Sequence, residues 1–185
     1  NDLYTETEKP SNNLNLETII RRGESHQVEF KPSLVYDFNT QRGRYFVKYI
    51  IAKTICSFLN SDGGIILIGV SDSGEIQGIE YDYSLFEGNE QDKIKLEVDS
   101  LIVSFFGISK KPLIQVFIEN VQGEDLLIIS VEESPKPIFL KKMNQVDGKT
   151  EFEKEFFIRM NASTHQVKDI EEIMDYTFNK EWKLK

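Results

Sequence analysis

Cysteine is almost absent from this sequence, since Cys56 is the single one among 185 residues. A lone cysteine excludes an intrachain disulfide, and it excludes the structural zinc sites that need several cysteines. Both absences are typical of proteins in a reducing compartment, so we predict a cytoplasmic location. Cys56 lies inside an apolar segment, which predicts a buried core residue.

Long apolar runs are also missing. No stretch approaches the roughly 18 consecutive apolar residues of a membrane-spanning helix, so no membrane span is expected. Residues 1–15 are polar and lack the apolar region of a signal peptide. The chain does not begin with Met, which is compatible with a piece of a longer protein that carries further domains.

Positive charge is in deficit, because 22 Lys and Arg against 31 Asp and Glu give a formal net charge of −9. This balance argues against phosphate binding over the whole surface, since such binding comes from Lys and Arg. Local clusters can still override the net charge. Basic residues gather at 21–22, 42–53, 110–111 and 136–142. A solvated surface is nevertheless the simpler explanation of any one cluster.

What the sequence does contain is enough apolar material for one core. Apolar residues make up 39% of the chain and include 13 Phe and 7 Tyr, which excludes a disordered protein as its class. No low-complexity linker divides it. We therefore predict one domain over residues 15–180, preceded by a flexible polar arm at 1–14 and followed by a short tail at 181–185.

The predicted elements mix helices with hairpins. Helical spacing of apolar residues predicts helices at 16–22, 45–60, 92–106 and 167–178. Alternation and short apolar runs between turn residues predict strands at 27–31, 65–70, 75–79, 112–121, 125–131, 138–141 and 155–160. The expected fold class is α+β: a single lobe with a mixed, mostly antiparallel sheet and hairpins packed against two or three helices.

Three segments carry the candidate functional residues. They are Glu24-Ser25-His26-Gln27-Val28-Glu29-Phe30-Lys31, then Asn60-Ser61-Asp62-Gly63-Gly64 running into Ile68-Gly69-Val70-Ser71-Asp72, and finally Arg159-Met160-Asn161-Ala162-Ser163-Thr164. Together they resemble the Schlafen AlbA-like domain family. That family has E-S-x-x-x-E-F-K, a helix ending A-F-x-N-x-x-G-G, a strand I-G-V-x-D-x-G and a late R-x-G-S-S/T. The resemblance covers about residues 22–178 and implies an AlbA-like lobe.

The resemblance implies a function linked to nucleic acid. Nuclease members cleave structured RNA such as transfer RNA with a divalent metal, here Mg²⁺ or Mn²⁺. Their catalytic and metal-binding acids correspond to Glu24, Glu29 and Asp72. Nucleic-acid contacts would come from Lys31, Lys53, Arg159, Ser163 and Thr164. Other members are described as DNA-binding regulators without catalysis, or as a divergent ATP-binding domain, and both alternatives stay open.

The three acids can also be judged from the residues alone. Carboxylates suit hard cations, and Asp72 follows the carboxyl end of a buried strand, where sites on sheets often lie. Glu24 can join Glu29 only if the chain bends between them, because five extended residues span about 17 Å. The ordinary alternative is a Glu29–Lys31 pair, a turn-forming Asp72 and a solvated Glu24.

Other features of the motifs have structural explanations. Gly63 and Gly64 suit a tight helix-to-strand turn, although they could also let a backbone approach a phosphate. Gly64 and Gly69 have the spacing of a Walker loop, but Val70 stands where that loop has Lys. Arg159 could bind an anion or pair with an acid. Asn161 stands at the family's Gly and tolerates a left-handed backbone.

The histidines and the number of lobes complete the predictions. His26 and His165 lack companions at metal-ligand spacing and are expected on the surface. Animal nuclease members of the family carry two lobes and a Cys/His zinc site, whereas this chain has one lobe. A two-lobed groove would therefore require a homodimer, for which a symmetric pair is the simplest arrangement.

Overall fold

The structure, a computed structural model, describes residues 16–35, 44–86, 88–146 and 149–182, without the side chains of residues 44, 45, 145 and 146. The predicted arm at 1–14, the basic residue Arg42 with its neighbours at 36–43, and the end of the predicted tail lie outside these ranges. None of the helices in the described part has the length and apolar character needed to cross a bilayer.

Helices and strands are mixed along the described ranges, with five successive strands before the last helix. The α-helices are α1 Leu16–Arg22, α2 Arg44–Leu59, α3 Glu80–Tyr83, α4 Glu90–Phe106 and α5 Ile170–Asn179, and a 3₁₀ helix covers Ile108–Leu113. The strands are β1 Val28–Lys31, β2 Gly64–Ile68, β3 Ile114–Val121, β4 Glu124–Val131, β5 Leu140–Val146, β6 Lys149–Met160 and β7 Ser163–Val167. The predicted α+β class with a mixed sheet is confirmed.

A four-stranded sheet has the order β1-β2-β4-β3. β1 runs parallel to β2, and the other neighbours are antiparallel. Gln122 and Gly123 connect β3 to β4 with φ of 56° and 92°, the left-handed pair that a two-residue hairpin turn favours. β2 is covered on both faces, as predicted: Ile66 and Ile68 pack with α2 and α4, whereas Leu67 packs with α1.

A second sheet has three antiparallel strands in the order β5-β6-β7. Its Phe157 packs in the same core as α2, while Phe156 and Ile158 on the opposite face pack against Ile173 of α5. α2 therefore lies between the two sheets. This position explains its composition, because a helix that is apolar nearly all round is a buried helix.

Four predicted elements are wrong in extent or type. The strand predicted at 138–141 is β5 at Leu140–Val146, and the late strand begins at Lys149 rather than 155. Residues 163–167 form β7, where the sequence predicted no strand and began a helix at 167. α5 starts at Ile170 because the Asp169 carboxylate accepts the amides of Glu171 and Glu172. The predicted strand at 75–79 is only an isolated bridge between Ile76 and Val70.

Asn60 joins the end of α2 to two later segments. Its side chain is fully buried, accepts from the Ile138 amide at 2.8 Å, and donates to Ile138 O at 2.8 Å and Phe157 O at 2.9 Å. These bonds satisfy backbone groups that have left the sheet hydrogen-bond pattern. An apolar replacement would leave the Ile138 amide and Phe157 O without these partners, and Ile138 O with only the Cys56 thiol at 3.5 Å.

We therefore expect Asn60→Ala to destabilise the fold by about 3 kcal/mol, since each orphaned buried group costs about 1–3 kcal/mol. Urea unfolding followed by circular dichroism measures the loss. Asn179→Ala, at the exposed end of α5, is the matched control and should change stability by less than about 0.5 kcal/mol. Equal stability of the two variants would contradict the assignment.

Cys56 is a core residue, as predicted. It is fully buried, and burial is the main cause that raises the pKa of its thiol to about 12. The reactive thiolate forms only above the pKa, so at pH 8 the folded protein holds the unreactive thiol.

Ellman's reagent at pH 8 should accordingly leave the native protein unmodified and label one thiol per chain in 6 M guanidinium. Any slow labelling of Cys56 without denaturant should occur at the rate at which the whole domain unfolds. Rapid labelling of the folded protein would show that the thiol is accessible.

Candidate nucleic-acid interface

The chain bends sharply between Glu24 and Glu29. The backbones of Ser25 and Val28 exchange two hydrogen bonds, of 3.0 and 3.4 Å, which reverse the chain. Glu24 thereby returns alongside the strand, and its Oε1 accepts the Phe30 amide at 2.9 Å. The bend that the sequence required is confirmed. Glu24 is exposed, as expected of a loop acid, but its carboxylate bonds the backbone.

The bend places side chains along the free edge of β1, which has β2 as its sheet neighbour on the other side. Besides Glu24 on the Phe30 amide, Lys31 Nζ donates to Phe30 O at 2.7 Å. Arg159 Nη2 donates to Val28 O at 3.1 Å. An open strand edge is prone to pair with other chains, so these motif residues protect it.

Arg159 is the most connected of the predicted site residues. Its side chain is 0% exposed, and its guanidinium lies over the Phe58 ring at 5.0 Å. It donates to the carbonyls of the bend, with Nη2 to Ser25 O at 2.9 Å and Nε to His26 O at 3.3 Å. Nη1 reaches Thr164 Oγ1 at 3.3 Å. A phosphate could meet this side chain only after these contacts opened.

Glu29 supplies the counter-charge for that buried cation. Its Oε2 lies 2.7 Å from Arg159 Nη1, and its Oε1 lies 2.7 Å from Lys31 Nζ. The Glu29 and Lys31 side chains are mostly buried, at 13% and 18% exposure. The sequence alternative of a Glu29–Lys31 pair is thus present, joined to Arg159. Both carboxylate oxygens have a cation as partner.

Asp72 lies away from this network. It is exposed in the turn after β2, where Ser71 Oγ, rather than the Asp72 side chain, accepts the Glu75 amide at 3.1 Å. A Cβ built on Gly74 in the same turn would stand 3.4 Å from Ile20 O of α1. α1 packs on one face of the sheet, whereas Glu29 pairs in register with Ile66 of the α2 face.

The three predicted acids therefore lie in different places. Glu24 lies at the free edge of β1, Glu29 on the α2 face of the sheet, and Asp72 in the turn after β2. In the described ranges, no three His, Cys, Asp or Glu side chains lie close enough together to hold a metal ion. As they stand, Glu24, Glu29 and Asp72 do not fit Mg²⁺ or Mn²⁺, because a backbone amide and two cations already bond the two glutamates. Their catalytic and metal roles stay predictions of the resemblance, and no chemical step is derived through a metal.

The remaining predicted contact residues lie near α2. Lys53 is half-buried, with Nζ 5.4 Å from the Tyr49 ring centre. Thr164 Oγ1 bonds Ser57 Oγ of α2 at 3.1 Å. Ser163 is exposed at the start of β7, after Asn161, whose φ of 53° confirms the left-handed turn. Their nucleic-acid contacts stay predictions.

The glycine pair has the structural role that the sequence favoured. Gly63 has a φ of 72°, and a Cβ there would lie 2.6 Å from Val131 O. A Cβ on Gly64 would lie 2.7 Å from both Gln27 O and the Phe58 ring. Protein atoms fill the space beside both residues, so the close approach is to the fold itself.

The two histidines lie at least partly in solvent. His165 is exposed on β7, and His26 is partly exposed with Nε2 2.8 Å from Asp62 Oδ2.

An open groove of about 360 Å³ lies where β7 ends beside β6. Its walls come from α2, the second sheet and the first turns of α5, and the lining is mostly polar or charged: Tyr49, Lys142, Glu153, Lys154, Glu155, Phe156, Gln166, Val167, Lys168 and Ile173. This groove does not follow from the predicted elements, because they lack the first half of β6 and all of β7. The alternation of Glu151, Glu153 and Glu155 with Phe152 and Lys154 is the signal that could have found it.

Glu155 forms the floor of this groove. Its side chain is 4% exposed, and Tyr49 Oη donates to Oε2 at 2.6 Å. Oε1 accepts from Lys142 Nζ at 3.2 Å and Gln166 Nε2 at 3.3 Å. The Lys142 and Lys53 ammonium groups lie 5.3 and 5.4 Å from the Tyr49 ring centre. The buried acid thus holds a cation and an aromatic ring at the groove.

Comparison with known proteins agrees with the motifs. The sequence model of the family described as Schlafen, AlbA_2 matches residues 24–168, which include the bend, the glycine turn and Arg159. The chain belongs to the Schlafen AlbA_2 family. Among solved structures, this Schlafen AlbA_2 domain is similar to the DIP2311 protein from Corynebacterium diphtheriae, with a TM-score of 0.50 at 18% identity. That match covers 82% of this chain but 29% of the other, and it supports the fold alone.

The buried network makes a prediction about stability. Arg159→Met should destabilise the domain by about 3 kcal/mol or more, because it removes three hydrogen bonds to carbonyls of the bend and leaves the buried Glu29 Oε2 without its cation. Thermal and urea unfolding measure the loss. Arg22→Met, an exposed arginine at the end of α1, is the control and should stay within about 0.5 kcal/mol of wild type. A small effect of Arg159→Met would contradict the structural role.

Proposed function

We propose that this Schlafen AlbA_2 domain binds nucleic acid on the face where α2 meets the second sheet. The observation that carries the proposal is a local reversal of charge. α2 contains three basic residues and no acidic one, in a chain of net charge −9. Residues 140–168, which hold the second sheet, contain five Lys besides the buried Arg159, against four Asp or Glu. Phosphate binding follows such local patches rather than net charge.

The geometry supports particular phosphate contacts. Lys53 and Lys142 flank the same Tyr49 ring, and Lys142, Lys154 and Lys168 line the groove next to it. Lys142 keeps its ion pair with Glu155, which fixes the ammonium group at the groove. Lysine is well suited to this task, because its apolar stem can pack on the protein while the charge stays in water.

We assign the contacts to these lysines in preference to Arg159 and Lys31. Those two side chains bond Glu29 and the backbone edge of β1, and Arg159 is fully buried. Substitution of either residue would destabilise the fold, so a loss of binding would not identify a phosphate contact. The proposal is for binding, because cleavage of RNA with a divalent metal has no assembled group of ligands among the described residues to support it.

Binding is tested by fluorescence anisotropy with labelled 20-nucleotide single-stranded RNA, single-stranded DNA and duplex DNA. We expect saturable binding that weakens steeply between about 50 and 200 mM salt, since each neutralised phosphate releases a counterion. ATP is titrated separately. Saturable ATP binding that RNA does not affect, together with no oligonucleotide binding, would overturn the proposal in favour of a nucleotide-binding domain.

The contacts are tested with Lys53→Gln, Lys142→Gln and Lys168→Gln combined. Glutamine removes the charge but can still donate to Glu155, so the fold should survive. We expect affinity to fall at least about tenfold at low salt, and the slope of log affinity against log salt to shrink by about 2, at 0.7 per contact for single strands.

The matched control removes the same charge from another surface. It combines Lys93→Gln, Lys95→Gln and Lys110→Gln, at positions on and just after α4. This triple variant should bind with nearly wild-type affinity. Equal losses in the two triple variants would mean that net charge alone decides binding. That outcome would remove the assignment of the interface to α2 and the second sheet.

A further inference from the structure

The hairpin of β5 and β6 carries a second surface. It shares only Lys154 with the groove. Strand register places Lys141 opposite Lys154 and Met143 opposite Phe152. Cross-strand partners share a face of the sheet, so these four side chains form one patch on one face. It is the face that carries Phe156 and Ile158 further along β6, and not the α2 face. We call these four residues the hairpin patch.

The hairpin patch is open to solvent. Phe152 is 58% exposed and Met143 is 40% exposed, and both lysines are exposed. The Lys141 ammonium lies 3.9 Å from the Phe152 ring centre, so cation and ring form a single unit. A flat aromatic surface and two positive charges therefore lie within two neighbouring pairs of residues.

This arrangement is unfavourable for an isolated hairpin. Like charges at directly opposite positions destabilise a strand pair, and Phe and Met gain nothing from contact with water. An anionic partner with flat apolar groups would relieve both costs. Phosphates would neutralise Lys141 and Lys154, and a nucleobase would cover the Phe152 ring.

We propose that the hairpin patch binds a single-stranded segment of nucleic acid, with a base stacked on Phe152 and phosphates on Lys141 and Lys154. This inference rests on the proposed function and specifies its ligand. A single strand is required because the faces of duplex bases are covered by their neighbours, whereas unpaired bases stack on exposed aromatic side chains. Such stacking accepts any base, so little sequence preference is expected.

The experiment separates stacking from charge. Anisotropy titrations compare a 20-nucleotide oligo-dT with an abasic strand of the same length, which keeps the phosphates and lacks the bases. Phe152→Ala should weaken oligo-dT binding at least about fivefold and leave abasic binding unchanged. Phe152→Trp should restore the affinity, because the larger ring still stacks.

The control removes an even more exposed ring elsewhere. Phe178 of α5 is 78% exposed, and Phe178→Ala should bind both strands as wild type does. Thermal unfolding checks that each variant stays folded, which the exposure of both rings predicts.

Three outcomes would overturn the inference. If Phe152→Ala binds oligo-dT as wild type does, or loses affinity for both strands equally, no base stacks on the ring. If poly-glutamate displaces oligo-dT and its own binding falls equally in Phe152→Ala, the patch is a site for acidic protein segments. If wild type binds neither strand, the proposed function fails and this inference fails with it, a result distinct from the other two.

Discussion

The ion pair between Arg159 and Glu29 is the contact on which the arrangement of the two sheets depends. A fully buried guanidinium on β6 reaches the bend before β1, the acid on β1 and the hydroxyl of Thr164 on β7. One side chain therefore fixes the edge of the first sheet against the second. Such a charge is tolerable in the interior only because acceptors surround it, so the bend, the acid and the hydroxyl must keep their positions together.

The same constraint separates residues that hold the fold from the residues proposed to contact nucleic acid. Lys31 and Arg159 are engaged at the β1 edge, whereas Lys53 and Lys142 extend over Tyr49 towards the groove. Lys53 extends from the core helix α2 with its apolar stem packed on the protein, whereas Lys142 extends from β5 and is 30% exposed. A chain with net charge −9 can in this way offer a positive face without a change in its overall balance.

The sequence predicted the first sheet better than the second. β2 was predicted because residues 65–70 are apolar on both faces between clear turns, and the bend was predicted only as the condition for Glu24 to join Glu29. β7 was missed because Ser163–Val167 carries little apolar signal of its own, with Val167 as its half-buried apolar residue. Its position comes from pairing with β6. The groove, which β7 and β6 build together, could not be predicted without that pairing, and neither could the Arg159 contacts that cross between distant segments.

Glu29 of the family motif can bind a ligand with both oxygens only if it gives up its ion pairs with Arg159 and Lys31. For Glu29 to give both carboxylate oxygens to a ligand, it must leave Arg159 and Lys31, and a buried Arg159 without its acid would cost about 3–5 kcal/mol. Binding energy spent on that opening would weaken the complex by about a hundredfold or more, since each 1.4 kcal/mol is about tenfold. The lysines at the groove and at the hairpin need no such exchange, because Lys53 and Lys141 rest on aromatic rings and Lys142 keeps Glu155 while it faces the groove. Recognition at these two surfaces is therefore compatible with an intact β1 edge, which is the physical reason to place nucleic acid there.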